Sequence, residues 1–180
     1  MTAALLVVSD THGDVDALTA VLAWAKHHGV TALAHLGDGV EDLRAATVRA
    51  DFSPPAKRVR GNGDSTDAVP TTALLDFAGR RFFLCHGHLH GVQDDLGSLV
   101  RFAATMEADA VLFGHTHRPF WEEVDGLLVL NPGSLGKPRS GPGPSFATVE
   151  CPENQWFSVR YWTLDRGILG RPLIREFQSV

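Results

Sequence analysis

The stretch AVLFGHTHRPF, residues 110–120, decides how the rest of the chain is read. Four apolar residues, Ala110 to Phe113, run into Gly114, and His115 and His117 follow two positions apart. A short apolar run bounded by glycine suits a buried strand, and in extended backbone the side chains at i and i+2 share a face. The two imidazoles are therefore expected to reach one point in space beyond a strand. Paired histidines on a loop are often ordinary surface residues, so their meaning depends on what the other strand ends carry.

Similar runs recur at 4–9 (ALLVVS), 32–36 (ALAHL), 81–86 (RFFLCH) and 127–131 (LLVLN). Each has strand length, and several are continuously apolar, as strands covered on both faces are. Helical periodicity appears between them. From Val15 to His28 it places Val15, Leu18, Leu22 and Ala25 on one stripe, with Gly29 as a stop, and it recurs over 94–107. A weaker helix is expected over 40–50. Farther on, SFATVEC and QWFSVRYW flank PEN and read as a hairpin. The alternation of strands and helices, followed by a strand-rich part, predicts one α/β domain over residues 1–180. Its expected architecture is a four-layer αββα sandwich: two mixed β-sheets facing each other, flanked by helices.

With 180 residues, 44% hydrophobic and 21% charged, the chain is long enough to bury a core without disulfides. A net charge of −5 argues against broad nucleic-acid binding through a basic surface. Cys85 and Cys151 lie in apolar runs and read as buried, reduced thiols. No apolar stretch approaches the ~18 residues of a membrane span, and MTAALLVVSD lacks a leader's basic start. These features predict a cytoplasmic protein with no membrane association; a homodimer is the expected assembly.

The apolar runs end in polar segments of a restricted kind. SDTHGD comes after the first, GDG after the second, GNGD after the short KRVR, and HGHLHG, GHTH and NPGS after the others. In α/β sheets ligands bind where loops converge at the carboxyl ends of strands. Packing needs no imidazole, and a buried polar group without a partner costs about 1–3 kcal/mol. Asp10 and His12 form a second i, i+2 pair, and Asp38, Asn62 and His86 add one candidate each. This is an oxygen and nitrogen donor set without thiolate. It suits manganese first, with iron, zinc or nickel as substitutes.

The order D-x-H at 10–12, GD at 37–38, GN-x-D at 61–64, HGH at 86–88 and GHTH at 114–117 resembles the calcineurin-like metallophosphoesterases, in particular their small YfcE-type phosphodiesterase branch. NPGS (131–134) and KPR (137–139) are similar to that branch too. The resemblance implies two divalent metal ions. Asp10, His12 and His117 would hold one, Asn62, His86 and His115 the other, and Asp38 would bridge them. It further implies hydrolysis of a small phosphoester, a phosphodiester, by a hydroxide shared between the ions. Asp38, Asn62 and His88 are the residues expected to carry the reaction, although His88 either contacts phosphate or merely hydrogen-bonds behind the ligands. Many members have His after the ligand Asn, credited with protonating the leaving oxygen. Here Gly63 stands in its place. General acid catalysis is typically worth ~10²–10⁴ in rate, so diesters and activated esters should be favoured over alkyl monoesters, with His88 as a partial replacement.

Other polar residues have plainer readings. His35 reads as a core histidine, His90 as a rim residue, and His27 with His28 as a favourable positive end to a helix. Asn131 and Ser134 either shape the pocket floor or form an ordinary turn. Lys137 and Arg139, on the surface loop 136–144, either meet an anionic substrate or are merely solvated. Trp156, Phe157 and Trp162 read as core or interface rather than a base-stacking platform. Asp64 and backbone carbonyls are the candidate acceptors for the ligand imidazoles' second N–H. Two other functions compete. One is a non-catalytic scaffold like the retromer subunit of the same fold, which a complete ligand set argues against. The other is a barrel amidase, which typically needs ~250 residues.

Overall fold

The apolar runs become the central strands. The computed structural model describes residues 3–167 and 171–178. Its elements are β1 (Ala4–Val8), α1 (Val15–Ala25), β2 (Val30–His35), α2 (Asp42–Ala50), β3 (Ala56–Arg58), β4 (Thr72–Phe77) and β5 (Arg80–Cys85). The chain continues with α3 (Gly97–Thr105), β6 (Ala110–Leu112), β7 (Pro119–Val124), β8 (Leu127–Pro132), β9 (Ser145–Glu150), β10 (Ser158–Arg166) and β11 (Pro172–Phe177).

Two mixed sheets result, ordered β11-β10-β9-β1-β2-β3 and β4-β5-β6-β8-β7. In the first, β1, β2 and β3 run parallel; in the second, β5, β6 and β8 do. Alternation along each strand divides the apolar residues between two faces. Leu5 and Val7 of β1 meet Phe82, Leu84, Leu112 and Leu130 of the opposite sheet in a shared core. Leu6 and Val8 face outward and pack beneath α1 and α2, against Leu18, Leu22, Leu43 and Ala46. Phe83, Val111 and Val129 do the same beneath Leu99 and Ala103 of α3. The layers are therefore helix, sheet, sheet, helix, as expected.

Element ends differ from the sequence reading in definable ways. Asp14 caps α1 by accepting the Ala17 N–H at 2.9 Å, but the helix ends at Ala25, a turn before His28. The His28 ring instead hydrogen-bonds the Trp24 carbonyl at 2.6 Å and stacks on the Trp24 ring, and Gly29 takes φ +73°. α2 and α3 are each shorter than their periodic stretches. The pairing of β9 with β10 confirms the hairpin. Three strands escape the apolar-run criterion: β4, β7 and β11. All three are sheet edges with partly exposed residues, so their sequences are not continuously apolar. Among the described residues, no helix is long and apolar enough to cross a membrane. Cys85 and Cys151 are buried and free; burial raises their thiols to about 12 and about 11.

Candidate metal centre

The parallel strands of both sheets deliver their carboxyl ends to one rim, and the loops there are laced together. Asp10 N–H donates to the Gly37 carbonyl (2.9 Å), His12 N–H to that of Asp38 (3.0 Å), and Gly114 N–H to that of His86 (3.0 Å). The backbone at these positions is not extended. Asp10, His12, Asp38, His115 and His117 all have positive φ, between 46° and 68°. The i, i+2 pairs therefore converge through left-handed turns beyond the strands, which corrects the extended-backbone reading. Such a conformation costs about 1–2 kcal/mol per residue and persists only where surroundings impose it, a pattern concentrated at functional sites.

Each carboxylate is pinned by one oxygen and presents the other. Asp10 Oδ2 accepts from the Ser9 hydroxyl at 2.5 Å and from His115 N–H at 3.1 Å. Its Oδ1 is buried without a hydrogen-bond partner among the described residues and lies 3.1 Å from His117 Nε2, 3.8 Å from His12 Nε2 and 3.9 Å from His86 Nε2. Asp38 Oδ1 accepts from Gly63 N–H at 2.6 Å, while Oδ2 stands 3.5 Å from His86 Nε2 and 3.8 Å from His12 Nε2. A Cβ on Gly61 would lie 2.1 Å from Asp38 Oδ1, so only glycine admits this approach.

The imidazoles are oriented by backbone. His86 Nδ1 bonds the Leu36 carbonyl at 2.7 Å, and His117 Nδ1 bonds the Lys137 carbonyl at 2.6 Å. A carbonyl only accepts, so both Nδ1 atoms carry the proton. In the neutral rings the Nε2 lone pairs then face the carboxylate oxygens. That arrangement is repulsive unless a cation or proton lies between. His86 Nε2 is itself buried without a hydrogen-bond partner among the described residues, and His12 Nε2 and His117 Nε2 stand 3.2 Å apart.

Ionisation follows the same field. Burial opposes charge on Asp38, but the facing His86, the Gly63 N–H and His12 outweigh it and hold the carboxyl below the usual carboxylate range. Burial works against protonation of His86 too, yet Asp38 and Asp10 raise it above its ordinary value. His12 and His115 are lowered, chiefly by burial. Two trios have ligand atoms within 4.8 Å of one another: Asp10, His12 and His117, and Asp10, Asp38 and His86. Orphaned Oδ1 and Nε2 atoms in a hard-oxygen and imidazole donor set fit divalent cations.

Of the residues expected from sequence, Asp10, His12, Asp38, His86 and His117 form this cluster. His115 borders it, its ring 5.1 Å from that of His86, with Nε2 3.0 Å from the Gln93 amide. Asn62 is exposed on the turn after β3; its neighbours Gly61 and Gly63 pack on Asp38, but among the described residues its own side chain makes no hydrogen bond. His88 lies behind His86, rings 5.4 Å apart, with Nδ1 buried and unpartnered. Asp64 does not receive an imidazole N–H. It accepts the backbone N–H groups of Asp38 (2.8 Å), Gly39 (2.7 Å), Val40 (3.0 Å) and Gly61 (2.8 Å), clamping two ligand loops together. Asp42, which no sequence motif singles out, accepts from Thr11 and Gly13 and clamps the Asp10 loop. Asn131 binds the Gly114 carbonyl and Thr116, and Ser134 binds the Asp10 carbonyl, so NPGS supports the ligand loops from below. Phe157 is buried between the sheets and Trp162 packs on Trp24 and Phe146, whereas Trp156 is partly exposed.

Two facing mixed sheets thus bring carboxylates and imidazoles able to hold metal to one rim. The model of the calcineurin-like phosphoesterase superfamily domain matches residues 4–154, and the chain belongs to that superfamily. Phosphodiesterase YfcE of Escherichia coli (strain K12) is 30% identical over 168 residues, covering 81% of this chain and 86% of that protein. A solved structure of a conserved uncharacterized protein, a predicted phosphoesterase from Streptococcus pneumoniae TIGR4, superposes with a TM-score of 0.75 at 26% identity. The match covers 98% of this chain and 99% of that one. Wild-type Vps29 from Entamoeba histolytica, complexed with zinc, gives a TM-score of 0.72 at 21% identity over 97% of this chain and 98% of that one, a likeness of fold.

Proposed function

We propose that the protein is a metal-dependent phosphodiesterase with a dinuclear centre. The observation that carries this reading is the meeting of Asp10 Oδ1 and Asp38 Oδ2 with the lone-pair nitrogens of His86 and His117, an arrangement that calls for cations. Asp10, His12 and His117 would hold one ion, Asn62, His86 and His115 the other, with Asp38 between. Two divalent ions in such a site make water nucleophilic near neutral pH and offset charge on phosphoryl oxygens.

The chain's own residues set the rest. Among the described residues two carboxylates, Asp10 and Asp38, enter the cluster, so two divalent ions would leave a positive balance for a phosphate group. Neutral Asn62 preserves it where a third carboxylate would cancel it. Hydrolysis forms one bond from water oxygen to phosphorus and breaks one P–O ester bond, and the departing oxygen takes a proton. Gly63 supplies no side chain for that transfer. His88, its ring 5.4 Å from that of His86, is the residue proposed to deliver it. Activated diesters need this proton least.

The test is a phosphoester panel with Mn²⁺ on wild type and Asp38→Ala, alongside metal stoichiometry. Wild type is expected to bind two equivalents and to cleave bis(p-nitrophenyl) phosphate faster than an alkyl monoester. Asp38→Ala should lose at least about a hundredfold in rate, since even outer partners of metal ligands are worth 10–100-fold. A clear preference for the monoester would overturn the diesterase assignment. Failure to bind metal would favour the scaffold reading, although all seven proposed ligand positions are occupied by competent residues.

A further inference from the structure

Beside the cluster lies a cleft of about 510 Å³, within the size range of small-molecule sites. It shares its wall with the ligand loops. Gln93 in its lining touches the His115 ring, Arg118 follows His117 directly, and Arg139 N–H donates to the His117 carbonyl at 3.1 Å. Its floor is apolar: Val92 and Phe113 are buried, Leu96 and Phe120 half-buried, and the two phenyl rings meet at 61° with centroids 6.4 Å apart. Over this floor stand Arg118 and Arg139, both exposed, and among the described residues neither has a carboxylate partner. On a chain of net charge −5, two guanidiniums without carboxylate partners thus stand beside an apolar floor.

The two halves of this surface ask for different things. Guanidiniums bind phosphate through paired N–H groups. Phe113 lies in the core, and the half-buried Phe120 ring is the one that can meet a planar ring, edge-to-face or offset. Inorganic phosphate would leave the floor unused, and an acyl chain would leave the guanidiniums unmatched. A nucleoside bearing phosphate satisfies both. We propose that the cleft receives a nucleoside substituent of the scissile diester, and that Arg118 and Arg139 bind a second phosphate carried on that nucleoside. The substrate class is then a nucleotide phosphodiester with an anionic group beyond the scissile one. This rests on the phosphodiesterase reading above.

The experiment compares the dinucleotides pApA and ApA with Mn²⁺, by chromatography of products, on wild type, Arg118→Ala, Arg139→Ala and the double variant. Wild type is expected to prefer pApA at least tenfold in kcat/KM, and the double variant to bring that ratio close to one. A second readout needs no turnover: calorimetric titration of chelator-treated protein with adenosine 3′,5′-bisphosphate should show one site, weakened at least tenfold in the double variant. If wild type cleaves bis(p-nitrophenyl) phosphate yet treats pApA and ApA alike, and the bisphosphate binds wild type and double variant equally, the cleft assignment is overturned and the diesterase reading stands. If no diester is cleaved but bisphosphate binding depends on the arginines, the cleft is upheld and the catalytic reading fails.

Discussion

His35 sits at the end of β2, fully buried, three residues before Asp38. Its Nδ1 accepts the Gly37 N–H at 3.2 Å, so Nε2 carries the hydrogen and finds no hydrogen-bond partner among the described residues. Burial, only partly offset by Asp64, Asp10 and Asp42, lowers its pKa from 6.5 to about 4. The unfolded chain therefore takes up this proton at a higher pH than the folded one. Stability is whole above about pH 6.5 and falls as pH drops toward 4, by about 3 kcal/mol in full. His35→Asn keeps an acceptor for Gly37 without the titration. Urea unfolding of chelated protein at several pH values should show a shallower loss between pH 6.5 and 4 in this variant than in wild type. Equal slopes would assign the acid loss to other groups. That His35 belongs to the core is legible in the sequence, and the reason is visible: a side chain inside an apolar run goes where the run goes.

Between the loop that joins β2 to α2 and the loop that joins β3 to β4, Asp64 is the common anchor. Four backbone N–H groups from residues 38–40 and 61 converge on its two oxygens. Those N–H groups belong to turns too tight to satisfy themselves, and an unsatisfied buried donor costs about 1–3 kcal/mol. Asp64→Ala is expected to lower unfolding free energy by about 3 kcal/mol or more and to weaken Mn²⁺ binding, because the Asp38 and Gly61 loops lose their tie. Denaturant titration and metal titration measure the two effects. Full stability with unchanged affinity would show that the loops hold without it. The GN-x-D pattern marks this position in the sequence as part of a motif, yet its role as a backbone clamp is not legible there. A role made of contacts with residues 38–40 becomes visible only once β2 and β3 are paired.

Across the whole molecule, the cluster joins the two sheets. Asp10, His12 and Asp38 follow strands of one sheet; His86, His115 and His117 follow strands of the other. A cation held between them ties the layers at their carboxyl rim, and binding to the folded state alone adds free energy by mass action. Mn²⁺ at about 100 times its dissociation constant contributes about 2.7 kcal/mol per site, or a melting shift of roughly 5–10 °C for a chain of this size. Thermal melts with Mn²⁺ and with chelator should differ by at least this much. Coincident melts would mean that the rim holds no cation.

By itself the sequence determined the layered αββα architecture and the identity of the polar residues at its rim. Hydrophobic periodicity and glycine-flanked Asp and His segments are local properties, written residue by residue. The edge strands β4, β7 and β11 escaped because an edge is defined by its neighbours and needs no apolar run. Only the tertiary structure decided the geometry of the cluster: the left-handed turns at Asp10, His12, Asp38, His115 and His117, and the pinning of one oxygen per carboxylate. It alone also set the cleft where Arg118 and Arg139 meet an apolar floor. Those features depend on hydrogen bonds and packing between distant segments, such as His115 N–H to Asp10 across 105 residues and the Ser134 hydroxyl to the Asp10 carbonyl across 124, which no local pattern encodes.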